Sequence, residues 1–161
     1  MILVTQNPEQ TLTKDERNIE PQRPSQWLWL FPPAYLLHAI EELKGVRALH
    51  GINLSLKQFL ALSTAAWLLL VLGILLAQKF RFPQLFGVCL GTAVFVNALS
   101  HIFNSLVIAG YDAGVISGTL IFIPLGLVTL VSLRNSMRPL RYTAGIALGL
   151  AIQGIATILA L

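Results

Sequence analysis

Cysteine and charge are the scarce residues in this chain. Cys89 is the single cysteine among 161 residues, which excludes an internal disulfide and any cysteine-based zinc cluster. Charged residues make up 11% of the chain, against about 25% in a typical soluble domain. Acid is rarer still. Glu9, Asp15, Glu16 and Glu20 lie in the first 26 residues, leaving Glu41, Glu42 and Asp112 for the remainder. The histidines are His38, His50 and His101. This poverty excludes a soluble globular domain, a disordered chain and a nucleic-acid binder, despite a formal charge of +4. What the chain has in excess is apolar: 55% of residues are hydrophobic and the mean hydropathy is +0.73. That composition describes a small all-α polytopic membrane protein.

Residues 1–26 carry Pro8, Pro21, Pro24 and mixed charges, and lack the basic start and apolar stretch of a signal peptide. They read as a flexible aqueous tail. Residues 27–161 read as a single transmembrane domain of five apolar segments: Trp27 to Leu43, Phe59 to Gln78, Gln84 to Ile108, Ala113 to Leu133, and Thr143 to Leu161. Roughly 20 helical residues cross a hydrocarbon core of about 30 Å, which the last four segments satisfy. The first is short, and Pro32-Pro33 predict a kink or a late helix start. Trp27, Trp29 and Tyr35 are the ring types expected near headgroups. With five spans, Lys14, Arg17, Arg23, Lys79, Arg81, Arg134, Arg138 and Arg141 share one side, against Lys44, Arg47 and Lys57 on the other, whereas a re-entrant first segment, giving four spans, would split them six against five. Basic residues accumulate in cytoplasmic loops, so the expectation is a plasma-membrane protein with a cytoplasmic N-terminus.

Ionisable groups at membrane depth are costly and face a polar interior. At about 100° per residue, Glu41 and Glu42 flank His38 on one helical face. Asn97 and His101, four residues apart, share a face of the third segment, with Ser100 and Asn104 adjacent. Measured from one border at the helical rise, His38 lies roughly 16 Å deep and His101 roughly 25 Å, with Glu41, Glu42 and Asn97 between. Ser117 and Thr119 enter the same layer from the fourth segment. Gly114 and Gly118, like Gly145 and Gly149, are spaced for close helix approach. Pro124 predicts a kink, and His50 reads as a loop residue. Plainer roles exist for each polar group: Glu41 and Glu42 solvated and paired with Lys44 or Arg47, His101 as a hydrogen-bonding partner, Ser117 bonded within its own helix.

His38-Ala39-Ile40-Glu41-Glu42 resembles the signature of the membrane-protein family named for its H-x-x-E-E motif. Asn97-xxx-His101 supports the resemblance, as does the run Tyr111-Asp112-Ala113-Gly114-Val115-Ile116-Ser117 leading to Pro124. The family pattern is similar to Tyr-x-Pro-Gly-x-x-Thr with a proline ten residues after the glycine. Here Ala113 replaces the proline and Ser117 the threonine. The likeness spans roughly residues 27 to 134. The family is one of unknown function, so the resemblance implies only that His38, Glu41, Glu42, Asn97 and His101 form one site. Intramembrane proteases of the C-a-a-X processing kind need E-E-x-x-x-R, and Arg47 is one residue too far from Glu42. Three histidines are too few for the di-iron cluster of a fatty-acid hydroxylase or desaturase.

Three functions are compatible with this pattern. In the first, His38, one of Glu41 or Glu42, and His101 hold a divalent metal, zinc before iron or manganese. The remaining glutamate, Glu42 being the candidate, acts as general base on an activated water, while Asn97, Ser117 or Tyr111 orients substrate. The protein is then a metal-dependent hydrolase of a lipid or other apolar substrate. In the second, the same groups form a proton relay in a small proton-coupled transporter, which without an inverted repeat requires a homo-oligomer. In the third, the polar layer locks the helices of a scaffold.

Overall fold

A computed structural model describes residues 23–47 and 55–160 of the chain. The tail expected over residues 1–26 lies outside the described residues up to position 22, and His50 lies outside them too. Helix is the regular structure throughout the described residues, as lipid demands: a backbone without water must satisfy its own amides and carbonyls. A 3-10 stretch, Arg23–Leu30, leads into α1, Phe31–Arg47. Then follow α2, Leu56–Lys79, and α3, Pro83–Val107. The remaining helices are α4, Val115–Arg134, and α5, Pro139–Ala160. Helices α2 to α5 are long and apolar enough to cross a membrane, and α1 is a shorter first helix.

The helix ends show why the segments begin where they do. Pro32 and Pro33 fall in the first turn of α1, where no intrahelical donor is needed, so the late start prevails over the kink. Ser55 opens α2 with a capping box: its hydroxyl accepts from the Gln58 amide at 3.3 Å, and the Gln58 side chain accepts from the Ser55 amide at 2.9 Å. Pro83 and Pro139 open α3 and α5, and α5 starts four residues before the apolar run. Pro124 takes a different course. It withholds an amide from the preceding turn, and α4 widens into a π-helical turn over Gly118–Phe122 just before it.

Helix α3 is the centre of the bundle. A third of its spanning window is buried, against 11% for α2 and α5. Lipid supplies no hydrophobic drive between helices, so packing depends on small residues that let backbones approach. Gly91 meets Thr129, Gly126 meets the Gly91 carbonyl, and Gly145 and Gly149 of α5 lie on Val88, Cys89 and Thr92 of α3. A Cβ at Gly149 would stand 2.5 Å from the Cys89 carbonyl oxygen and 2.7 Å from Thr92 Cβ, whereas one at Gly154 would meet nothing within 4 Å. Gly149→Ala is therefore expected to cost about 1–3 kcal/mol by overpacking, and Gly154→Ala essentially nothing. Thermal melts of the two variants in detergent measure the difference.

Two apolar clusters seat α1. Leu28, Phe31 and Ile74 pack with Trp27, Leu70 and Phe86, and the Trp67 indole donates to the Pro32 carbonyl at 3.3 Å. Higher along α1, Ala34 packs with Ala98 of α3 and Phe122 of α4. His38 follows Ala34 by four residues and His101 follows Ala98 by three, so both imidazoles rise from this small-residue contact on facing helices.

Candidate metal centre

The acid side chains that the described residues contain, Glu41, Glu42 and Asp112, converge where α1, α3 and the start of α4 meet. His38 is 2% exposed, although a histidine among apolar helices needs partners for both ring nitrogens. Its Nδ1 lies 2.8 Å from Ser117 Oγ. The Ser117 hydroxyl is also within hydrogen-bonding reach of the Glu41 carboxylate, which can only accept. A serine proton given to Glu41 would let His38 Nδ1–H donate to the serine oxygen. That tautomer leaves a lone pair on Nε2. This atom is buried without a hydrogen-bond partner, and Glu42 Oε1 stands 3.5 Å away.

His101 repeats the pattern from α3. Its Nδ1 donates to Asp112 Oδ2 at 2.7 Å, and its Nε2 lies 3.2 Å from the same Glu42 Oε1. Asn104 donates to the other Asp112 oxygen at 3.2 Å and holds that carboxylate in place. The two imidazoles meet edge to face with centroids 5.0 Å apart, and Phe122 lies against His38 at 4.4 Å. A ligand atom from each of His38, Glu42 and His101 lies within 4.8 Å of the others. Two edges, 3.5 and 3.2 Å, are already near the roughly 3.3 Å that separates neighbouring ligands around a tetrahedral zinc. This group could hold one metal ion. Each imidazole is also oriented through its other nitrogen, the outer-shell arrangement that metal-bound histidines use.

Glu41 does different work. Its Oε1 accepts from the Tyr111 hydroxyl at 2.7 Å and the Ile116 amide at 3.0 Å, and its Oε2 accepts from the Ser117 amide at 2.7 Å. The carboxylate thus sits on the first turn of α4, where helical amides are unpaired and the dipole favours an anion. Tyr111, in the loop before α4, is pushed up to about 12 by desolvation and then by the Glu41 carboxylate. It stays a neutral donor. Gly114 adopts φ 107° at the same helix start, and its α-carbon faces the His101 ring.

Of the residues singled out from sequence, the structure gathers His38, Glu42 and His101 into one group and places Ser117 behind His38. Glu41 is not in that group; α4 and Tyr111 claim its oxygens. Asn97, one turn before His101, has a buried Oδ1 with no partner. Ser100 bonds the Val96 carbonyl of its own helix, and Thr119 is exposed. Sequence reasoning left Asp112 and Asn104 without roles. The rarity of acid was the available signal for Asp112, and the i, i+3 spacing of His101 and Asn104 the signal for the pair.

A sequence profile described as a protein of unknown function with HXXEE motif matches residues 29–129, more than half of the chain. The chain belongs to the HXXEE family. The matched stretch contains the motif, His38 to Glu42, and every side chain of the centre. The two acids of the HXXEE motif thus have separate tasks here, Glu42 facing the imidazoles and Glu41 holding α4. No curated protein and no solved structure matches the chain.

Proposed function

We propose that His38, Glu42 and His101 hold one divalent cation, zinc, and that the centre hydrolyses a lipid or other apolar substrate. The observation that carries this reading is the pair of oriented imidazoles whose Nε2 atoms both face one carboxylate oxygen. Three protein ligands leave a coordination position free, as catalytic zinc sites do and structural ones do not. Glu42 and His101 keep 21% and 15% of their side-chain surface, so the group is reachable. A bound cation supplies Lewis acidity toward a carbonyl or ester oxygen and acidifies water. Glu42 Oε2, not shared with the imidazoles, is the oxygen to take a proton. Asn97, with its unpaired Oδ1, would orient a substrate donor, and Ser117 holds the His38 tautomer. Exposed Ile116 and Leu120 on α4 and Phe103 on α3 suit an apolar substrate arriving from lipid. In a plasma membrane, the Lys and Arg distribution supports a cytoplasmic N-terminus.

Metal analysis of the purified full chain is the test. About one zinc per chain is expected in the wild type and less than about a tenth in Glu42→Gln. A wild type that stays below a tenth after zinc supplementation ends the proposal.

One observation favours a second reading. His38, Ser117, Glu41 and the 52%-exposed Tyr111 form a hydrogen-bond chain from the buried imidazole to the surface, as a proton path requires. Proton flux into proteoliposomes that survives metal stripping would select it over the hydrolase.

A further inference from the structure

The end of the bundle opposite the metal centre carries charge of one sign. Lys79 and Arg81 lie at the turn between α2 and α3, and Arg134, Arg138 and Arg141 at the turn between α4 and α5. The carboxylates among the described residues all sit at the other end of α3, which at 25 residues is about 37 Å long. No carboxylate among them reaches these cations. Lys79 lies over the Phe80 ring at 5.7 Å, and the arginines have no ion pair among the described residues.

This end also has a cavity, open on one side. About 560 Å³ is lined by Gln84 of α3 and by Asn135, Ser136, Met137, Arg138 and Arg141 of the α4–α5 turn. The lining is amide, hydroxyl and guanidinium, with one thioether and no acid. Ser136 donates to the Leu133 carbonyl at 2.9 Å, and the Arg138 carbonyl accepts from the Arg141 and Tyr142 amides, so the backbone of the turn is satisfied. The guanidiniums are left for an outside ligand. The cavity lies at the first turns of the span-length helices α3 and α5, where a headgroup layer would meet them. Leu133 and Leu28 pack around Gly87 with the Trp27 indole, and Pro139 begins a spanning helix.

We propose that this cavity binds the headgroup of an anionic phospholipid, with Arg138 and Arg141 on the phosphodiester and Gln84, Asn135 and Ser136 hydrogen-bonding the polar remainder. Guanidiniums match phosphate in a forked geometry that a lone ammonium cannot offer. Basic pockets between spanning helices bind acidic headgroups for the same reason. The inference is independent of the metal centre, whose residues it does not use.

The test uses detergent-purified full chain with phosphatidylglycerol or phosphatidylcholine added at equal concentration, and inorganic phosphate as a third arm. Phosphatidylglycerol is expected to raise the melting temperature above the phosphatidylcholine value, while free phosphate does not. Two basic residues are together worth a roughly 30-fold preference at a membrane surface, so Arg138→Gln/Arg141→Gln removes the difference. Lys79→Gln/Arg81→Gln, equal in charge but outside the cavity, retains most of it. Equal loss in both double variants would mean diffuse charge attraction and overturn the site. So would phosphatidylglycerol performing no better than phosphatidylcholine, or phosphate stabilising as well as lipid. If the arginine variant does not fold, native mass spectrometry of the wild type from an equimolar lipid mixture decides. Preferential retention of phosphatidylglycerol supports the site, and equal retention overturns it.

Discussion

Replacing His101 with alanine is expected to lower zinc affinity by more than about 100-fold, beyond the 10- to 100-fold that loss of an outer-shell partner costs. His101 Nε2 is one of the three atoms that could ligate an ion, and α3 contributes no other histidine or acid to the group. His38→Ala should do the same. Asp112→Asn is the graded comparison. It keeps an oxygen near His101 Nδ1 but removes the charge that holds the ring and strengthens its Nε2, so a loss of about 10- to 100-fold is expected. Titration against a chromophoric chelator reads all three. Zinc at about 100 times the wild-type dissociation constant should also stabilise the wild type by roughly 2.7 kcal/mol, and His101→Ala by less than about 0.4 kcal/mol. A proton competes with the metal for Nε2, so affinity must fall on acidification. His101→Ala binding zinc as the wild type does would remove the centre as drawn.

Gly114→Ala is expected to have the second large effect, on both stability and metal binding. At φ 107° an L side chain is strained, by about 1–2 kcal/mol. An added Cβ would also stand 2.7 to 2.9 Å from the Cε1, Nε2 and Nδ1 atoms of His101. That ring cannot swing aside without leaving Asp112 or Glu42, and the overpacking adds about 1–3 kcal/mol. The expected total is about 3 kcal/mol, read from unfolding in mixed micelles, with zinc affinity falling in the same variant. Gly118→Ala separates packing from site geometry. Its Cβ would meet Ala98 at 3.3 to 3.4 Å and no imidazole, so any loss there should be of stability alone. Gly114→Ala that melts and binds zinc as the wild type does would show that the Gly114–His101 contact is dispensable.

The α1 motif shows how far local geometry could be read. Glu41 and Glu42 flank His38 on one helical face, and a periodicity of about 100° per residue suffices to say so. Which of them meets the imidazole of α3 depends on the rotation of α1 against its neighbours. The contact of Ala34 with Ala98 and Phe122 decides that rotation. It turns Glu42 toward His101 and Glu41 toward the amides of α4. The i, i+4 spacing of Asn97 and His101 was equally legible. The Asp112 partner was not, because a loop residue has no period to betray its direction. Pro124 announced a local break, but the widened turn that carries Phe122 onto His38 depends on how α4 packs.

The all-helical bundle, its five principal helices and their approximate ends followed from the amino-acid sequence alone, four of them long and apolar enough to span, because in lipid an apolar segment of that length has helix as its one way to satisfy its backbone. The same reasoning named His38, Glu42 and His101, since ionisable groups at that depth need one another. Tertiary structure alone decided the division of labour between Glu41 and Glu42, the partner of each imidazole Nδ1 and the place of Asp112. The glutamate contacts depend on distances of about 3 Å between residues some 60 to 80 positions apart, set by small-residue contacts between helices, while Asp112 returns to His101 across 11 positions through a loop, and no local pattern encodes either.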